Sequence, residues 1–203
     1  MILITGSSAC KHEKVTNAKE PLKIDVSLTD AEKSAGILTP EILWKFGRIG
    51  DFALSPDGKF VAFTVAYYNL QEDRGITNLY VMETKGGEPK KLTDETSSES
   101  APQWSNNGEY IRFLSDKSGS SQIWQIKPNG DELVQLSSID GDVNGFNFSP
   151  DGIKLVYSKD VKEVDQASDI YPDMPKANVR IITDLMYRHW NYWEDGKFGH
   201  LFI

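Results

Sequence analysis

Between Tyr187 and Trp193 the chain sets Tyr187, Arg188, His189, Trp190, Tyr192 and Trp193 within seven positions. A guanidinium, an imidazole and several aromatic rings at this density are binding chemistry. Arg presents a fixed fork of donors to carboxylates and stacks on ring faces, while His and Tyr add single hydrogen bonds. Upstream, Glu163, Asp165, Asp169, Asp173 and Asp184 supply carboxylates suited to a cationic group. Packing readings compete with this one. Ile182, Leu185, Met186, His189 and Trp190 follow helical spacing and would fill a local core, Ile181 to Tyr187 reads equally as a strand, and the acidic residues read first as solvated surface.

Metal and cofactor chemistry is not expected. The three histidines and one cysteine form no ligand cluster in the sequence. A net charge of −8 with no basic stripe argues against nucleic acid as a partner, because phosphate binding needs clustered Lys and Arg. No run approaches the roughly 18 apolar residues of a membrane span. At 203 residues and 39% hydrophobic, the chain has material for an ordinary core.

The elements that would carry the cluster are announced by a repeated phrase. Ser55-Pro56-Asp57-Gly58 returns as the looser Ser105-Asn106-Asn107-Gly108 and again as Ser149-Pro150-Asp151-Gly152. Each copy follows an apolar strand end (Leu54, Trp104, Phe148) and precedes an alternating run such as Phe60-Val61-Ala62-Phe63. Pro presets φ, Asp bonds back to the backbone and Gly takes the positive-φ position, so each phrase is a tight turn between strands. Asn78-Leu79-Tyr80-Val81 recurs as Gln122-Ile123-Trp124-Gln125, and Lys91-Leu92-Thr93 as Gln135-Leu136-Ser137, both after 44 residues. A period of about 40–45 residues with four strands per unit predicts an all-β fold, a partial β-propeller; a sandwich would not be expected to repeat its turn chemistry at a fixed offset.

The expected layout is a short helix at 38–47, then blades at about 48–94, 95–138 and 139–203. In the third unit the third-strand phrase is His200-Leu201-Phe202-Ile203, so an insertion of roughly 30 residues is predicted at about 161–197, and it holds the aromatic cluster. Two blades and part of a third would leave an open ring, which reads as a fragment of a longer protein. Thr39 is the expected N-cap of the helix, Pro40 its first residue and Gly47 its stop, with Ile42, Leu43 and Phe46 as one apolar stripe. Residues 11–37 are polar and aperiodic and read as a flexible tether. The first ten, Met1 to Cys10, read as the tail of an export signal resembling a bacterial lipobox, with Cys10 as the candidate lipid attachment; the other reading is an ordinary thiol near a ragged terminus.

Leu38-Thr39-Pro40-Glu41, Ile49-Gly50-Asp51-Phe52-Ala53-Leu54-Ser55-Pro56-Asp57-Gly58, Asp169-Ile170-Tyr171-Pro172-Asp173 and Asp184-Leu185-Met186-Tyr187-Arg188-His189-Trp190 together resemble the start of a prolyl oligopeptidase-family serine peptidase, of the acylaminoacyl peptidase and dipeptidyl peptidase V-like branch. The resemblance covers about residues 38 to 203. It implies an exported enzyme, periplasmic or outer-membrane-associated, in which a propeller covers a C-terminal α/β-hydrolase domain and admits short peptides. That domain would hold the nucleophile in a Gly-x-Ser-x-Gly elbow. No elbow occurs here: Lys117-Ser118-Gly119-Ser120-Ser121 has one of the two glycines and reads as a polar hairpin loop, so no catalytic residue is assigned. The resemblance implies that Tyr187, Arg188, His189, Trp190 and Trp193 face substrate and that the insertion's carboxylates meet a peptide α-amino group. TolB-like propellers share the turn phrases, so a periplasmic protein-binding propeller without enzyme activity is the alternative, and a self-contained interaction module a third.

Overall fold

A computed structural model describes residues 20–174, 176, 179–183, 188–190, 192–193 and 195–203, with backbone alone described at 189 and 192. Three antiparallel sheets follow one another along the chain. The first orders β1 (Arg48–Leu54), β2 (Phe60–Asn69), β3 (Arg74–Glu83) and β4 (Lys90–Lys91) side by side, and the second repeats the order with β5 (Glu99–Trp104), β6 (Ile111–Ser115), β7 (Gln122–Ile126) and β8 (Val134–Gln135). The third pairs β9 (Gly145–Phe148) with β10 (Leu155–Lys162). Between β10 and its other neighbour lie α3 (Ala167–Ile170) and the two-stranded hairpin of β11 (Arg188–His189) and β12 (Tyr192–Trp193); β13 (Lys197–Phe202) then completes the sheet.

The turn phrase forms the same bonds in every blade. Ser55 Oγ donates to Asp57 Oδ1 at 2.7 Å and accepts from the Phe60 N–H at 2.9 Å, while the Gly58 N–H donates to the Ser55 carbonyl at 2.9 Å. Ser105 with Asn107, Tyr110 and Gly108, and Ser149 with Asp151, Lys154 and Gly152, repeat the set. The three glycines sit at φ 71°, 72° and 73°, a region costly to any residue with a Cβ. The second copy departs from Pro at its second position because Asn106 Nδ2 donates to the carbonyl oxygens of Ser149 and Pro150, tying neighbouring turns together.

Strand alternation then divides the core. On β6, Ile111 and Phe113 face the first blade, where they pack with Ala62, Leu79, Val81 and Ile126. Leu114 faces the third blade and packs with Ile123, Val143 and Phe146, while the Arg112 guanidinium lies 3.8 Å from the centre of the Phe148 ring. The second blade is therefore apolar on both faces because it has a neighbour on each side. Phe52 and Ile49, on β1, remain 76% and 73% exposed.

The region before the blades is more ordered than the expected tether. Within residues 20–37, α1 (Asp30–Ala35) is closed by a capping box in which Thr29 and Glu32 satisfy each other's backbone N–H groups, and the Leu22 N–H donates to the Glu95 carbonyl at 3.0 Å. Leu22 itself is buried. Lys45 Nζ links α1 to α2 (Pro40–Lys45) through Glu32 at 3.0 Å. Thr39 caps α2 as expected, but Gly47 is not its stop: Phe46 ends the helix in extended conformation, and a Cβ on Gly47 would lie 2.6 Å from the Val65 side chain and 2.7 Å from the Tyr67 ring, so those side chains would have to shift. Of the expected stripe, Ile42 is buried while Leu43 and Phe46 stay exposed, and Trp44 instead meets the Tyr68 ring edge to face, with the Arg48 guanidinium against both rings.

Candidate functional site

The insertion leaves β10 at Lys162 and returns at Lys197, and its base is pinned. The Glu163 and Val164 N–H groups both donate to the Gly196 carbonyl, at 2.9 and 3.1 Å, so the two ends meet as a ladder would continue. A Cβ on Gly196 would lie 2.7 Å from the Val164 carbonyl oxygen, which fixes glycine there. His200 Nε2 contacts Glu163 Oε1 at 2.5 Å, and Lys162 pairs with Asp169 on α3. The Lys162 ammonium, then the Gln166 N–H, hold the Asp169 carboxyl below its usual range. Two of the five carboxylates foreseen for a cationic ligand, Glu163 and Asp169, are thus committed to anchoring the insertion. Asp165 and Asp173 stay exposed, and Asp184 lies outside the described residues.

At the far end, Arg188 opposes Trp193 in the hairpin register and His189 opposes Tyr192. Trp190 occupies the turn at φ 51° and is 85% exposed. Residues 188–190 are therefore a strand and a turn, not the end of the helix that the spacing of Ile182, Leu185, Met186, His189 and Trp190 allowed, and Ile181 to Thr183 carry no regular structure. A tight hairpin overrides the helical period because strand pairing satisfies the backbone that a helix would otherwise close on itself. Tyr187 lies outside the described residues, as does Cys10; the His189 side chain is likewise not described.

Trp193 is the centre of the described side chains. The Arg188 guanidinium lies 5.2 Å from its ring centre, and that of Arg180 lies 5.0 Å away, both inside cation–π range. Reading the sequence missed Arg180. It stands outside the dense seven-residue cluster, and nothing in its local pattern marks it; only the fold back of the insertion brings it to Trp193. Two guanidiniums on one indole make a local positive centre in an otherwise acidic segment, whose chemistry suits a carboxylate. Among the described residues no group of three or more His, Cys, Asp and Glu is placed to hold a metal ion.

Four-stranded blades stacked face to face, with turn and cap bonds repeated from blade to blade, define a β-propeller. The chain belongs to the TolB beta propeller domain family, whose match runs over residues 44–190. It is 42% identical over 82% of its length to Dipeptidyl-peptidase 5 of Porphyromonas gingivalis, and 37% identical over 88% of its length to Dipeptidyl-peptidase 5 of Porphyromonas endodontalis. The chain spans about a quarter of those relatives, 24% and 26% of their lengths. The fold is shared with an acylaminoacyl peptidase of Pyrococcus horikoshii, at 16% identity and a TM-score of 0.55 over 76% of this chain and 22% of that one. These relatives agree with the peptidase-family propeller that the helix prelude and insertion phrases resemble. Among the described residues no helix is long and apolar enough to cross a membrane.

Proposed function

We propose that this segment is the non-catalytic propeller portion of an exported serine peptidase that cleaves short peptides, and that it shapes access to an α/β-hydrolase domain of the same protein. The observation carrying this reading is the 42% identity to a dipeptidyl-peptidase, which runs over 82% of the chain. The insertion is the recognition element in this proposal. Arg180 and Arg188 on Trp193 receive a peptide carboxylate, Trp190 offers an aromatic face at the tip, and Tyr187 and His189 complete the substrate-facing set. Asp165 and Asp173 are the described carboxylates left for an α-amino group. Export, periplasmic or outer-membrane placement and lipidation of Cys10 belong to the same proposal.

A binding propeller without an attached enzyme is the second reading, favoured by the TolB-type family match itself. The full-length protein separates the two when assayed on chromogenic dipeptide substrates with and without a serine-directed covalent inhibitor. Inhibitor-sensitive release supports the peptidase. A folded full-length protein that releases nothing supports the binding propeller.

A further inference from the structure

The junction between the first two blades contains a carboxyl group that the proposed function does not use. Glu99, the first residue of β5, is 1% exposed. Its Oε2 accepts from Thr93 Oγ1 at 2.6 Å, and its Oε1 accepts from Ser97 Oγ at 2.7 Å and Ser115 Oγ at 3.1 Å. Thr93 in turn accepts from the Leu79 N–H at 3.0 Å, so a continuous chain of bonds runs from β3 of one blade, through Glu99, to β6 of the next.

The corresponding junction between the second and third blades is built without a buried carboxyl. There Ser137 Oγ accepts from the Ile123 N–H at 2.8 Å and donates to the Gln122 amide oxygen at 2.8 Å, and Val143 occupies the position 44 residues after Glu99. In the first junction Asn78 is one methylene shorter than Gln122, its Nδ2 donates to the Asp94 carbonyl, and the Thr93 hydroxyl bonds Glu99 instead. The ionisable junction is thus one alternative of two that this repeat can build.

No ion pair reaches Glu99 among the described residues. The cations beside it are engaged elsewhere, Lys91 with Glu95 and Lys117 with Asp94 at 3.5 Å. The remaining charge facing it, Asp116 on the loop after β6, is of like sign. Burial is the main reason that the carboxyl titrates at about 7, the three hydroxyl donors opposing it and Asp116 adding to it. A cleft of about 440 Å³, lined by Thr93, Ser97, Glu99, Ser115, Phe113 and Trp124 among others, gives this group a route to solvent protons.

We infer that the junction of the first and second blades is a pH-responsive latch, tightest when Glu99 Oε2 carries a proton and donates it to Thr93 Oγ1, and loosened when that proton leaves through the cleft. Protonation needs no rearrangement of heavy atoms. Oε1 continues to accept from Ser97 and Ser115, the Oε2–H···Oγ1 bond replaces the reverse bond, and the Thr93 hydroxyl hydrogen turns to the cleft. Deprotonation leaves a buried carboxylate beside Asp116 with hydroxyl donors alone to hold it.

The test is amide hydrogen exchange of the full-length protein from pH 6 to pH 8.5, corrected for intrinsic exchange, following peptides that contain Leu79 and Ser115 against those that contain Ile123 and Val143. Each unit by which the closed-state titration exceeds the open-state one is worth a factor of ten, so protection at Leu79 and Ser115 is expected to fall about tenfold or more with rising pH. Ile123 and Val143 should hold, and Glu99→Gln should abolish the fall. Flat protection in the native protein, or an equal fall in Glu99→Gln, overturns the latch. Should Glu99→Gln not fold, Glu99→Val takes its place, since Val143 shows that the repeat accepts valine. Should neither fold, a carboxyl-carbon NMR titration of the native protein decides, with no glutamate titrating above about pH 6 as the contrary result.

Discussion

Asp51 Oδ2 accepts a hydrogen bond from the Ala101 backbone N–H at 3.0 Å, joining the irregular point of one blade's inner strand to that of the next. Both strands shift register there, between Ile49 and Phe52 on β1 and between Ser100 and Gln103 on β5. Ala101 is held at φ 49°, a left-handed conformation costly to alanine. Asp51→Ala should lower stability by about 1 kcal/mol through loss of a charge-assisted bond. Ala101→Gly should be neutral or raise stability by less than about 1 kcal/mol, because relief of the left-handed strain opposes the entropy of glycine. Thermal unfolding of both variants checks the pair; a loss at Ala101→Gly as large as at Asp51→Ala would contradict it.

The turn phrases give a graded series. Ser55 is buried and serves as both donor and acceptor in its turn, so Ser55→Ala should cost about 1–2 kcal/mol. Asn106→Pro restores the commoner phrase yet removes the bonds to the Ser149 and Pro150 carbonyls, and should therefore destabilise rather than stabilise. A higher melting temperature for Asn106→Pro would show that the link between turns contributes nothing.

How much was legible in the sequence follows from the range of the interactions. The turn phrases and the third-strand phrases are local and repeat, so period and turn chemistry mark the strands they join. The capping box of α1 was also local, since Thr29-Asp30-Ala31-Glu32 has the required spacing, but it lies in a polar stretch with no apolar periodicity and was absorbed into the tether. Gly47 was read as a helix stop because glycine serves that role often; its actual constraint is the approach of Val65 and Tyr67. Glu99 and Arg180 could not be singled out. The partners of Glu99 come from three segments, at 93, 97 and 115, and Arg180 meets Trp193 only through the return of the insertion.

Stability should depend on pH through Glu99 with a definite sign. Its carboxyl titrates at about 7 in the folded chain against 4.5 for the unperturbed group, so the native state binds the proton more tightly. The contribution of this group is then full below about pH 4.5 and declines as pH rises towards 7, after which it is flat. Glu99→Gln should melt higher than the native protein at pH 8 relative to the same comparison at pH 5. An unchanged difference between the two pH values would contradict this.

The hairpin tip separates recognition from packing. Trp190 is 85% exposed in a turn, so Trp190→Ala should change stability by no more than about 0.5 kcal/mol, and on the proposed peptidase reading it should lower kcat/KM of the full-length protein for short peptides. A fall in melting temperature with unaltered kinetics would make Trp190 a packing residue.

The most direct measurement is steady-state hydrolysis by the full-length protein of two chromogenic peptides that differ only in glutamate against glutamine, for the native protein and for Arg180→Ala/Arg188→Ala. If the insertion receives substrate through the guanidiniums on Trp193, the double variant loses about tenfold or more in kcat/KM for the glutamate peptide and little for the glutamine peptide, with its melting temperature retained. Equal losses on both peptides, or none on either, would contradict a substrate-facing insertion.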